Sequence, residues 1–212
     1  MYVKICGLRE AVHAARAASE QADAVGVVMS PRSPRHASEA EALAVIAAAK
    51  GVKPDIDTVL VVREMPAVEA AQTAVRLGFD VLQLHGAYTR EDFAVASAIH
   101  PRVWRAASLA DHPGLRAGDS GEERLLVDGA AAGSGEPWDL GLIAGAKLGQ
   151  HWLLAGGLSP TNVAEAIATA RPGGVDVSSG VETTPGEKSV ELISRFIEAA
   201  RGADPHRTGS SR

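Results

Sequence analysis

Residues 152–182, WLLAGGLSPTNVAEAIATARPGGVDVSSGVE, carry more information about architecture than any other part of the chain. The apolar opening at 152–155 is short and runs at once into Gly156 and Gly157, the pattern of a buried strand ending in a turn. Ser159 followed by Pro160 reads as an N-cap and a first helical residue, and Val163, Ile167 and Ala170 then recur at helical spacing. Arg171, Pro172, Gly173 and Gly174 stop that helix, and 175–178 form a second strand that runs straight into Ser179 and Gly180. The result is a parallel β-α-β unit. Each strand ends in a turn of small residues that exposes backbone N–H groups, and a helix N-terminus beside them adds positive potential. The last two loops of a (β/α)8 barrel hold phosphate in this way. A lone Gly-Gly pair is more often a tight turn that needs positive φ, but two such turns in succession favour a phosphate cradle. Its candidate members are Gly156, Gly157, Ser178, Ser179 and Gly180.

The same strand-then-helix module recurs along the chain. Strands are predicted at 2–6, 24–29, 58–62, 81–84, 103–107 and 125–128, before the pair already described. Helices are predicted over 10–21, from a Ser38/Glu41 capping box, from Pro66 to Leu77, and from Thr89 to near His100. SPRSPRH at 30–36 is a Pro-broken loop. Residues 108–123 hold several Gly and Asp and one short apolar run, so the fifth helix is short or missing. A loop at 129–137, a helical stretch at 138–147 and an amphipathic closing helix at 189–200 complete the series. Eight modules of about 25 residues indicate a single closed (β/α)8 barrel, an α/β TIM barrel, over 1–202. A doubly wound open sheet is the alternative, and it rarely needs eight such regular units. The polar tail at 203–212 is expected to be disordered.

With 212 residues, 46% of them hydrophobic, the chain can bury one large core. A net charge of −5 and scattered Arg and Lys argue against a nucleic-acid partner. There is no apolar run of membrane-spanning length and no charged-then-apolar leader, which points to a cytoplasmic protein with no membrane partner. One cysteine cannot form an internal disulfide and leaves Cys6 as a free thiol. The expected partner is a small molecule, handled by a monomer or a homodimer.

In such a barrel, chemistry collects at the C-terminal strand ends, which here carry Cys6, Arg35 in the second loop, His85, Asp128 and Ser178. Each has a plainer reading. Cysteine is often only a small buried residue, although Cys6 stands at a strand end directly before a glycine. His85 can equally cap its own loop. Asp128 follows Leu125, Leu126 and Val127, so its carboxylate must be capped, paired or working. Lys4 shares strand parity with Cys6 and should point into the barrel one layer deeper. A lysine there needs a partner. Strand eight neighbours strand one, and Asp176, with the parity of Ser178, is the candidate; another acid or a bulge would break the pairing.

KICGL at 4–8, SPRSPR at 30–35, LQLHG at 82–86 and LLVDG at 125–129 together resemble the phosphoribosylanthranilate isomerase family of tryptophan biosynthesis. GSGEPWDL at 133–140, LAGGLSPTNVAEAI at 154–167 and GVDVSSGVE at 174–182 extend the resemblance to nearly everything but the tail. It implies an Amadori rearrangement of N-(5-phosphoribosyl)anthranilate, a phosphosugar, with no metal and no organic cofactor. It also implies that Cys6 is the general base and Asp128 the general acid, that Arg35 holds the anthranilate moiety, and that the LAGGL glycines and the SSG turn bind phosphate. His85 and Asp176 join Arg35 as candidate substrate-binding residues. The acid and the base would need pKa values moved toward 7, and a cation at Lys4 should lower the Cys6 thiol. Two stretches depart from the family pattern: GVVM at 26–29 in place of GFVF, and VLVVR at 59–63 in place of a VFVN-like strand. Other phosphosugar barrels share the cradle but lack the paired cysteine and aspartate. A non-catalytic phosphate-ligand binding protein on the same barrel is the alternative from a different class.

Overall fold

A computed structural model describes residues 1–128, 143, 146–149 and 151–203. The chain runs β1 (Tyr2–Ile5), α1 (Ala11–Ser19), β2 (Ala24–Val28), α2 (Glu39–Val52), β3 (Asp57–Val62), α3 (Ala67–Leu77), β4 (Val81–His85) and α4 (Arg90–Ile99). It continues with β5 (Val103–Ser108), β6 (Arg124–Asp128), β7 (Trp152–Leu154), α5 (Val163–Ala170) and β8 (Gly174–Val177). A single 3-10 turn (Ser179–Val181), the short strands β9 (Glu182–Thr184) and β10 (Glu187–Lys188), and α6 (Val190–Gly202) follow. Strands β1 to β8 pair in sequence order into a closed barrel, and β8 returns to β1 through Lys4 opposite Asp176. Every barrel pairing is parallel.

Local chemistry explains where the elements begin and end. Ser38 and Glu41 form the expected capping box on α2, and Thr89 forms a second one with Asp92 on α4. Ser189 caps α6, whose Ile193, Phe196 and Ile197 are buried. Residues 109–123 contain no helix. Instead Glu122 accepts from the N–H groups of Gly118 (3.0 Å) and Ser120 (2.8 Å) and holds the connection as a chain of turns. One boundary differs from the expected one: α5 starts at Val163, not at Pro160. Ser159 Oγ takes the N–H of Thr161 at 3.3 Å, while Asn162 Oδ1 takes the N–H of Ser159 at 2.8 Å. These side-chain bonds hold the intended first turn as a loop. The antiparallel β9–β10 pair gave no periodicity in sequence, because strands of three and two residues are too short to show any. The loop predicted at 129–137, most of the helix at 138–147 and the tail beyond Ala203 lie outside the described residues.

Strand parity divides the core into two shells. Val25, Val27, Leu60, Val62, Leu82, Leu84, Leu125 and Val127 face the helices. Alternate residues, including Ala24, Val28, Val59, Val61, Val81, Trp104, Ala106, Leu126 and Leu153, fill the barrel. The uppermost residues of these inner rows, at the C-terminal strand ends, build the site.

Candidate active site

At that end a cavity of about 130 Å³ is lined by Cys6, Arg35, His85, Asp128, Gly156, Gly157, Asp176, Ser178 and Ser179, together with Arg63 and Gln83. Every candidate site residue except Gly180 is therefore on one surface. A wider cavity of about 510 Å³ adjoins it over the ends of β3 to β5, sharing Arg63, His85, Ala106 and Asp128 and adding Ala107, Asp111 and His112.

The Cys6 side of the site is built from β1. Lys4 Nζ lies 2.8 Å from Asp176 Oδ1, and Lys4 is completely buried. The pairing anticipated from parity is present, with no bulge in the β1–β8 register. Burial by itself would push the Lys4 ammonium down, but Asp176 and the adjacent thiol hold it above the ordinary range, so the group is charged. The expected effect on Cys6 holds for Lys4 itself and not for the net shift. Burial pushes the thiol up, Lys4 opposes that, Asp176 adds to it, and the net direction is upward. Lys4 acts in the expected direction, but desolvation of the thiolate outweighs it and the counter-charge Asp176 adds to the rise, so the thiol is not lowered overall.

His85 Nε2 is 3.6 Å from Asp128 Oδ2, beyond hydrogen-bond length, so the two are neighbours and not a bonded pair. Burial, reinforced by the cations Arg63 and Lys4, lowers the His85 pKa to about 4 and leaves its imidazole neutral at neutral pH. Arg35 is anchored: Nε and Nη2 donate to the two oxygens of Glu182 at 2.7 and 2.8 Å. Lys188 Nζ lies 2.6 Å from the same carboxylate and also bonds Ser178 O (2.9 Å) and Ser178 Oγ (3.2 Å). Burial would raise the Glu182 carboxyl, but the Arg35 and Lys188 hydrogen bonds hold it below the ordinary range. This triad ties the β2 loop to the β9–β10 hairpin.

The two turns of the cradle meet directly. Gly156 and Gly157 have φ of 82° and 64°, the left-handed region that glycine occupies without strain. Their N–H groups have no hydrogen-bond acceptor among the described residues. Asn162 Nδ2 holds the Gly157 carbonyl at 2.9 Å and so fixes the turn. Gly180 is not in the lining. A Cβ there would stand 1.8 Å from the Leu158 carbonyl oxygen, so its missing side chain is what lets the β8 turn pack against the β7 turn. Ser179 opens the 3-10 turn, whose first N–H groups have no partner inside it.

Sequence reasoning missed Glu182, Lys188, Asn162 and Arg63. Arg63 was the accessible one, since it continues the inner row Val59, Val61 by parity. Glu182 lies 147 residues from Arg35, and nothing local announces the pair.

A sequence model described as N-(5′-phosphoribosyl)anthranilate isomerase matches residues 3–199. The protein of that name from Paramagnetospirillum magneticum is 38% identical over 225 residues, covering 96% of this chain and 98% of that one. The crystal structure of TrpF from Jonesia denitrificans superposes with a TM-score of 0.84 at 48% identity, covering 97% and 98% of the two chains. Phosphoribosyl anthranilate isomerase from Thermotoga maritima superposes with a TM-score of 0.84 at 31% identity, covering 95% and 99%. A closed barrel with this set of strand-end residues, matched over almost its full length, places the chain in the N-(5′-phosphoribosyl)anthranilate isomerase family.

Proposed function

We propose that this chain converts N-(5′-phosphoribosyl)anthranilate to 1-(2-carboxyphenylamino)-1-deoxyribulose 5-phosphate by general acid and base catalysis. The observation that carries the reading is that Cys6 and Asp128, from opposite parts of the chain, line one cavity whose far wall is the pair of small-residue turns. Asp128 gives its proton to the ribose ring oxygen as the C1′–O bond breaks, and the nitrogen lone pair forms a C1′=N⁺ imine. The Cys6 thiolate then takes the C2′ proton, and the electron pair of that C–H bond neutralises the iminium as an enolamine. Gain of a proton at C1′ and loss of one from the C2′ hydroxyl give the ketone, so the net change is an isomerisation.

A thiol raised by burial is a strong base once ionised, and the iminium formed next to it supplies the positive charge that favours the thiolate. Gly156, Gly157 and Ser179 offer backbone N–H groups to the phosphate, with Ser178 at the rim and Gly180 bringing the two turns together. Arg35, His85 and Asp176 border the sugar and the ring. All these groups come from one barrel, so the chemistry is complete within one chain, which acts as a monomer or a homodimer. No described helix is long and apolar enough to cross a membrane, and a cytoplasmic setting suits the free thiol. A binding protein without catalysis would not need the Cys6 and Asp128 pair. Purified protein should abolish the fluorescence of freshly made N-(5′-phosphoribosyl)anthranilate at a rate proportional to enzyme. Persistence of that fluorescence, with a related isomerase active in the same cuvette, would refute the reading.

A further inference from the structure

We propose that Arg63 receives the carboxylate of the substrate's anthranilate ring and sets the enzyme's preference for a carboxylated amine; this rests on the function proposed above. Arg35 is the cation that the family resemblance offers for the ring. In the fold, however, the Nε–Nη2 edge of its guanidinium is occupied by Glu182, which also compensates its charge. Lys188 next to it uses all three ammonium hydrogens on Ser178 O, Ser178 Oγ and Glu182. An arriving carboxylate would meet the anionic Glu182 as well as those cations. Arg63 is different: it is exposed, lines both cavities, and makes no hydrogen bond or ion pair among the described residues.

Position supports the assignment. β3 and β7 are four strands apart in a closed ring of eight, so Arg63 stands across the mouth from the Gly156–Gly157 turn. A substrate with its phosphate on β7 and β8 extends its ring toward β3 to β5, into the wider cavity walled by Ala106 and Ala107. Asp111 lines that cavity and His85 there is neutral, so the substrate's second anion enters only with a compensating cation. Among the described residues, Arg63 is the one Arg or Lys in the lining of that cavity. Its planar fork matches a carboxylate with two parallel hydrogen bonds. It also falls within the VLVVR stretch, where the sequence leaves the family pattern.

The test uses two stable ligands, 1-(2-carboxyphenylamino)-1-deoxyribitol 5-phosphate and its phenylamino counterpart without the carboxylate. Calorimetry with the wild-type protein should show the carboxylated ligand binding about 10- to 100-fold more tightly, the scale of a charge-assisted pair. Arg63→Met should bind the two alike, and Arg63→Lys should recover part of the preference. For the substrate itself, Arg63→Met should raise KM with kcat within about twofold of wild type, the signature of lost ground-state binding. Competitive inhibition by inorganic phosphate should not change. A carboxylate preference that survives in Arg63→Met would overturn the assignment and leave the function standing. Weakened inhibition by inorganic phosphate would overturn it too, by making Arg63 a phosphate ligand. Failure of the wild-type protein to bind either ligand would sink the functional reading, and this assignment with it.

Discussion

The floor and the mouth of the barrel are built from the same eight strands but treat charge differently. On the floor, Tyr2 Oη donates to Asp57 at 2.6 Å, and Arg102 bonds Asp57 (2.5 and 3.0 Å) and Glu123 (2.8 and 2.9 Å) at once. The Arg124 guanidinium lies 4.5 Å over the Tyr2 ring and 5.7 Å over Trp104. Burial and the Asp57 hydrogen bond drive the Tyr2 hydroxyl far upward, and Arg102 holds both Asp57 and Glu123 below the ordinary carboxylate range. At the mouth, His85 and Asp128 stop short of a hydrogen bond, the Cys6 thiol is left where its ionisation is costly, and Arg63 is unengaged among the described residues. Charges on the floor are spent on each other and close the barrel. The mouth also pairs some of its charges, as in the Arg35–Glu182–Lys188 triad, but it keeps a costly thiol and an exposed arginine facing the cavity, which makes chemistry possible.

The sharpest way to break this comparison is at Cys6 and Asp128. Cys6→Ser should leave the urea midpoint unchanged while lowering kcat by roughly 10²- to 10⁴-fold, the range for a lost general base. Asp128→Asn, which keeps the shape but has no acid proton, should lose as much or more. Wild-type turnover in either variant would remove that residue from the mechanism. Lys4 tests the boundary between the two regions, because it is a floor-type ion pair placed under a mouth-type group. Lys4→Met strands Asp176 in the interior and should cost about 3–5 kcal/mol of stability by denaturant melts. It should also push the thiol further up, seen as an alkaline shift in the pH profile of iodoacetamide alkylation. Adding Asp176→Asn removes the opposing effect and should return the profile toward wild type; an unmoved profile in both variants would disconnect the pair from Cys6.

Arg102→Met is the converse of Cys6→Ser. It should cost about 1–2 kcal/mol, since the side chain is a third exposed and partly screened, and leave kcat and KM alone. A fall in kcat would show that the floor reaches the chemistry. The smallest effect concerns His85. Its folded pKa of about 4 lies below the ordinary 6.5, so folding favours the neutral ring. That stability is present above about pH 6.5 and is lost as the pH falls from there toward 4. His85→Gln should therefore flatten the acid side of the stability profile by about 1 kcal/mol at pH 5.5. An equally steep profile in the variant would place the titrating group elsewhere.

Much of this was written locally. Strand parity put Val59, Val61 and Arg63 in one row and Lys4 beneath Cys6, and closure of eight modules brought strand eight to strand one, so the Lys4–Asp176 pair could be expected from sequence. The missing fifth helix was visible in the glycines and aspartates of 109–123. The start of α5 was misjudged because Ser159 and Pro160 suit an N-cap, and the competing side-chain bond from Asn162 is a matter of three-dimensional reach.

Sequence alone determined what depends on period and near neighbours: eight alternating modules, the inward rows, the glycine turns and the residues that end each strand. Only the tertiary structure decided that Glu182 engages Arg35 across 147 residues, that Gly180 is required by the Leu158 carbonyl, and that the Cys6 thiol moves up despite a lysine beneath it. The physical reason is common to all three. Desolvation and pair geometry depend on everything packed within a few ångströms, whatever its place in the chain, while periodicity records only which face a residue presents.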